Sequence, residues 1–106
     1  PEVQKTYLFD VIDALPTLTQ DIDKMVQAWA KGDPAALAEL LNAETDDPVL
    51  YRALLSDRNR NWAVWIDNRL DQPGVVFIAV GAGHLGGKDS VQQMLAKGGI
   101  KAVRVQ

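Results

Sequence analysis

The chain has 106 residues, 47% hydrophobic and 24% charged, which is enough for one small core and too little for two. Its formal net charge is −3, from 11 basic and 14 acidic residues mixed along the sequence, so charge gives no basis for recruiting nucleic acid. It has no cysteine, which removes disulfides, thiolate metal sites and a cysteine nucleophile, and no apolar stretch approaches the ~20 residues that span a bilayer.

The start, Pro1-Glu2-Val3-Gln4-Lys5, lacks the apolar region of a signal peptide, and Pro1 in place of an initiator methionine suggests processing or excision. Val3, Tyr7, Leu8, Val11, Ile12 and Leu15 recur at three-and-four spacing, which predicts a helix that Pro16 stops. Thr17 with Gln20 reads as a capping box for a second helix, with Leu18, Ile22, Met25, Val26 and Trp29 as its stripe and Gly32 as its C-terminal glycine. Asp33-Pro34 opens a short helix through Leu37, Leu40 and Leu41. Asp46-Asp47-Pro48 then supplies a cap and a first-turn proline for the longest helix, running to about Asp71. The stripes are expected to form core.

After Gln72-Pro73-Gly74 the period changes. Val75 to Val80 is a continuous, β-branched apolar run that predicts a strand covered on both faces. A helix with Val91, Met94 and Leu95 inward ends at Gly98-Gly99, and Ile100 to Val105 predicts a second strand. The expected fold class is thus α/β in one domain: a helical region of about four helices over 1–71, then a β-α-β unit over 74–106. Two parallel strands make an incomplete sheet. The expectation is that a longer parent protein, or a homo-oligomer or exchanged dimer, completes it.

Within the long helix, Leu54, Leu55, Trp62, Trp65, Ile66 and Leu70 mark the inward side, and Arg58 and Asn59 interrupt it. Unpartnered burial of either would cost a few kcal/mol. Two accounts stand side by side. In one, Arg58 lies along Trp62 with its head in water and Asn59 holds a loop backbone; in the other, both line a site as hydrogen-bond donors. Arg60 and Asn61 face outward as solvated surface.

The only histidine, His84, follows the apolar run on the turn Gly81-Ala82-Gly83-His84, where Gly81 and Gly83 are expected to allow a sharp turn and close approach of a ligand. Gly81 to Gly86 also satisfies G-x-G-x-x-G, a weak match to a dinucleotide-binding loop. The position where a Rossmann unit wants an acidic residue holds Val105 and Gln106, and Gly86-Gly87-Lys88-Asp89 delays the following helix. A metal site needs about three protein ligands, and none of Glu2, Asp10, Asp13, Asp67, Asp71 or Asp89 is spaced with His84 so as to compel a shared ion. Ser56 and Ser90 lack a nucleophile motif. A loop histidine bonded to a backbone carbonyl explains His84 equally well.

Val80-Gly81-Ala82-Gly83-His84-Leu85-Gly86-Gly87, then Met94-Leu95 and Gly99-Ile100-Lys101-Ala102-Val103-Arg104-Val105, resembles the C-terminal signature of the TraB/PrgY/gumN family, which includes the Tiki proteases. Arg58-Asn59-Arg60-Asn61-Trp62 is similar to the family's R-N-x-x-W segment, and the Gln20 to Asp33 helix fits as well. The resemblance covers essentially the whole chain. It implies the C-terminal half of a metal-dependent hydrolase, peptidase-like, whose site is split between two halves. His84 would be a metal ligand or metal-site base, and Arg58 and Asn59 would position substrate or stabilise an oxyanion. The partner G-x-x-H histidine and the glutamate would come from the missing N-terminal half. A divalent metal ion is then the implied cofactor, not retained by these residues alone, and a peptide the implied substrate, with no nucleic acid and no membrane span. Placement in the bacterial envelope or periplasm follows from resemblance only. The alternative, from another class, is a non-catalytic peptide- or ligand-binding regulatory domain on the same fold.

Overall fold

A computed structural model describes residues 1–43 and 46–105; Glu44, Thr45 and Gln106 lie outside it. The described chain is helical, with no strand. Helix α1, Glu2–Ala14, runs through a 3₁₀ turn at Leu15–Thr17 straight into α2, Leu18–Ala30. Pro16 therefore tightens the helix rather than stopping it, because a residue in the first turn of a 3₁₀ segment needs no N–H partner. The expected capping box is likewise absent. Thr17 keeps helical dihedrals (φ −101°, ψ −2°), so α2 has no open N-terminus to cap, and its hydroxyl lies 3.1 Å from both the Ala14 carbonyl and the Asp21 carboxylate.

The remaining helix ends follow the sequence. Asp33 accepts from the Ala36 amide at 3.0 Å to start α3, Pro34–Asn42; Asp47 accepts from the Val49 and Leu50 amides to start α4, Pro48–Tyr51. A π-helical turn at Arg52–Ser56 joins α4 to α5, Asp57–Leu70. Ser90 caps α6, Val91–Lys97. Gly32 and Gly99 close α2 and α6 in the same manner. Gly32 (φ +65°) donates to Trp29 while Asp33 donates to Ala28, and Gly99 (φ +87°) donates to Ala96 while Ile100 donates to Leu95. These are paired Schellman bonds, which need a left-handed residue that glycine adopts without strain.

The expected β-α-β unit is not formed. Val75 to Val80 and Lys101 to Val105 carry no ladder bonds, and Val75 and Phe77 are 99% and 91% exposed, so the first run is not a strand covered on both faces. An apolar β-branched run states a preference for burial on a pleated surface, and that preference becomes a strand only when another strand offers its N–H and C=O groups. Neither run has such a neighbour among the described residues. The dinucleotide reading fails with it, since Gly81 to Gly86 follows no strand and α6 does not begin until Val91.

Two packed pairs organise the rest: α2 on α3, and α5 on α6, with α3 also holding the turn that carries His84. The core centres on Ala63, Val91 and Leu95, flanked by Trp62, Ile66, Met94 and Ile100. The stripes of α1 and α2 do not form core as expected. No residue of α1 is buried and Ala28 alone is buried in α2, while Leu8, Ile12, Leu18, Ile22, Val26 and Trp29 stay exposed. The radius of gyration, 15.8 Å, exceeds the roughly 13 Å of a closed domain of this length, as uncovered helical faces require.

The tight contact in this frame is at Gly86. A Cβ there would lie 2.4 Å from the Ala38 Cβ and 2.6 Å from the Pro34 carbonyl oxygen, and a backbone atom has no rotamer to escape with. By contrast Gly81 has φ −62°, which any residue adopts, and a Cβ on Gly83 would meet Leu41 at an ordinary 3.5 Å. The glycines that the loop cannot replace are Gly86, held by close contact, and Gly87, held by its φ of +80°, not the two singled out by pattern. Gly86→Ala should destabilise the protein by about 1–3 kcal/mol through overpacking, read as a lowered urea midpoint with unchanged slope, while Gly83→Ala should shift it far less.

Candidate functional site

α5 delivers Arg58, Asn59 and Trp62 to one place. The π-helical turn just before it means that the inward face does not continue straight from Leu54: Leu54 is exposed, while Leu55, Ser56, Asn59 and Ala63 are buried. Trp65 and Leu70, also expected inward, are more than half exposed, and Trp62 and Ile66 are partly buried.

His84 comes from the opposite side, on a 3₁₀ turn at Ala82–His84 closed by its own amide to the Gly81 carbonyl at 3.0 Å. The loop is held at several points: Asn42 Nδ2 donates to the Gly83 carbonyl at 3.4 Å, Gln92 Nε2 donates to the Leu85 carbonyl, and Gly86 sits against α3. His84 is therefore presented by a short clamped loop rather than by a strand end.

The structure brings His84, Asn59 and Arg58 together. His84 Nδ1 lies 2.7 Å from Asn59 Oδ1, and Asn59 Nδ2 donates to the Asp89 carbonyl at 2.7 Å. A carbonyl only accepts, so the Asn59 amide nitrogen must face Asp89 and its oxygen must face His84. That oxygen in turn requires the proton on Nδ1. The ring therefore keeps its lone pair on Nε2. Trp62 stands against the imidazole with ring centroids 4.7 Å apart and planes tilted by 51°, and the Arg58 guanidinium carbon lies 5.2 Å from the Trp62 ring centroid. Burial, then the charge of Arg58, hold the His84 pKa below its ordinary value of 6.5, so the neutral ring is the resting form.

Arg58 and Asn59 have different jobs despite being neighbours in sequence. Arg58 is exposed on Trp62, whereas Asn59 has 0% of its surface accessible and can act on a ligand only through His84. The two accounts of the sequence thus describe one arrangement: Arg58 lies along the tryptophan, Asn59 holds a loop carbonyl, and both border His84. Arg60 is surface, paired with Asp57 at 2.8 Å.

A groove of about 490 Å³ opens beside the imidazole, lined by Arg58, Trp62, Trp65, Ile78, Val80 and His84 among others. Its walls are mostly apolar with one cation and one neutral base. Among the described residues no group of three or more His, Cys, Asp or Glu side chains is placed to hold a metal ion. His84 fits a metal as a single donor, with its second nitrogen oriented as metal-binding imidazoles are, and the described residues do not make a whole site.

Sequence reasoning missed Tyr51. Its hydroxyl donates to Asp89 Oδ2 at 2.9 Å, and burial first, then the Asp89 hydrogen bond and charge, keep its pKa raised, so it stays a donor. Only its place in the first turn after Asp47-Pro48 was legible; a contact 38 residues away leaves no local signal.

The His84 shift carries a sign. With the folded pKa below the unfolded one, the unfolded chain binds more protons in that window. Stability is then complete above about pH 6.5 and falls as the pH drops through the lowered folded value. Denaturant midpoints measured from pH 8 to pH 5 should show this loss, and His84→Gln should remove that part of it. Asn59→Ala should cost about 1–3 kcal/mol by stranding the Asp89 carbonyl and the His84 Nδ1–H, measured by the same unfolding curves.

No helix among the described residues is long and apolar enough to cross a membrane. No curated protein and no solved structure matches the sequence. The TraB/PrgY/gumN family model matches residues 1–104. The resemblance drawn from the R-N-x-x-W segment and the His84 turn therefore holds over nearly the whole chain, which belongs to the TraB/PrgY/gumN family.

Proposed function

We propose that this chain forms one wall of a hydrolytic site acting on peptides, with His84 as base or as one ligand of a divalent cation. The observation that carries the reading is the 2.7 Å Asn59–His84 bond made by a side chain with no accessible surface, which leaves a neutral imidazole with its Nε2 lone pair beside an open groove. Family membership supports it without specifying the reaction.

In this reading Nε2 of His84 either takes a proton from the attacking group or donates its lone pair to the cation, and Asn59 holds the ring in the tautomer that permits either. Arg58, held over Trp62, stands where it can stabilise negative charge developing on a carbonyl oxygen, which a guanidinium with its N–H donors does more strongly in a mostly apolar groove than in water. Trp65, Ile78 and Val80 offer surface to an apolar side chain of the substrate. The chemistry such an ion supplies is polarisation of a carbonyl and acidification of water. Its other ligands would have to come from outside the described residues, and protein supplying them could also cover the exposed faces of α1 and α2.

The apolar lining of the groove favours a second reading, a peptide- or ligand-binding domain without catalysis. Calorimetric titration of the full-length protein with zinc separates the two. The hydrolase reading expects saturable zinc binding, weakened at least tenfold by His84→Ala where the ring is a ligand and unchanged where it is the base, with peptide hydrolysis lost in either case; no zinc binding, or hydrolysis indifferent to His84, would overturn it.

A further inference from the structure

The orientation of the Asn59 amide is decided by one atom, the Asp89 carbonyl oxygen, which faces Nδ2 at 2.7 Å. The two ends of a primary amide have nearly the same shape. If that carbonyl moved away, the amide could rotate by half a turn and present its nitrogen to His84. Nδ1 would then have to accept, the proton would sit on Nε2, and the lone pair would be lost from that nitrogen. The position of Asp89 therefore controls which His84 nitrogen is free.

Asp89 lies in the loop just before the Ser90 cap of α6, and its side chain is tied across the fold to α4, where the Tyr51 hydroxyl donates to Oδ2 at 2.9 Å. The continuous path is Tyr51 hydroxyl, Asp89 carboxylate, Asp89 carbonyl, Asn59 amide, His84 Nδ1, with spacings of 2.9, 2.7 and 2.7 Å at its three hydrogen bonds. Neither Tyr51 nor Asp89 lines the groove beside His84.

We propose that Tyr51 and Asp89 are positioning residues that set the tautomer of His84, keeping its proton on Nδ1 and Nε2 open to the groove. The functional value of that tautomer rests on the hydrolase reading above, but the tautomer itself does not, so the two can fail separately.

His84 is the only histidine, so ¹⁵N labelling of histidine gives a single imidazole to read by NMR at about pH 8, where the ring is neutral. The expected wild-type spectrum has a protonated Nδ1 and an unprotonated Nε2, the form that a free imidazole populates less. Tyr51→Phe and Asp89→Ala should each let the Nε2–H form appear as a substantial fraction. Asp89→Asn, which can still accept from Tyr51 through its amide oxygen, should keep the wild-type spectrum. Tyr51→Phe loses one hydroxyl and decides the matter if Asp89→Ala loses its helical circular dichroism. A wild-type ring protonated on Nε2, or a Tyr51→Phe ring that stays wholly Nδ1–H, would overturn the proposal. Zinc titration reports on the hydrolase reading independently: a protein that binds no zinc and yet shows the expected tautomers leaves this inference standing and removes the other.

Discussion

A primary amide with no accessible surface must satisfy both its donor and its acceptor inside the protein, or the fold loses a few kcal/mol. Asn59 does so between the Asp89 carbonyl and His84 Nδ1, and much of the site follows from that single side chain. It joins α5 to the loop before α6 and to the histidine turn at once. It also decides the protonation pattern of the imidazole, because a backbone carbonyl on one side leaves no choice on the other. Removing the amide would disturb geometry and chemistry together.

The rest of the structure supports this contact by holding the histidine loop from outside. Asn42 reaches the Gly83 carbonyl, Gln92 reaches the Leu85 carbonyl, and Gly86 lets the backbone settle against Ala38 and Pro34 where any Cβ would collide. A loop held this way behaves as part of the scaffold, which is what a positioned imidazole needs. The buried core behind it is small, centred on Ala63, Val91 and Leu95. Polar clamps and close glycine packing therefore carry a large share of the local order.

Arg58 and Asn59 show how one helix divides labour between adjacent residues. Successive side chains on a helix point in different directions, so one lies on Trp62 in the groove and the other goes into the interior. A cation on an aromatic face next to a neutral histidine is a chemically plain arrangement, suited to negative charge and to proton transfer.

By itself the sequence determined the helix starts at Asp33-Pro34 and Asp47-Pro48, the closures at Gly32 and Gly99, the inward face of α6 around Val91 and Leu95, and the family, because caps, left-handed glycines and short motifs act over a few residues. It also singled out His84, Arg58 and Asn59. Only tertiary structure decided the rest. Among the described residues Val75 to Val80 has strand composition without a strand to pair with, and the α1 stripe has helical period without a surface to cover, since periodicity records a preference for burial and not the presence of a partner. The need for glycine at Gly86, the tie from Tyr51 to Asp89 and the proton on His84 Nδ1 all depend on atoms brought together from distant parts of the chain, and local pattern carries no trace of them.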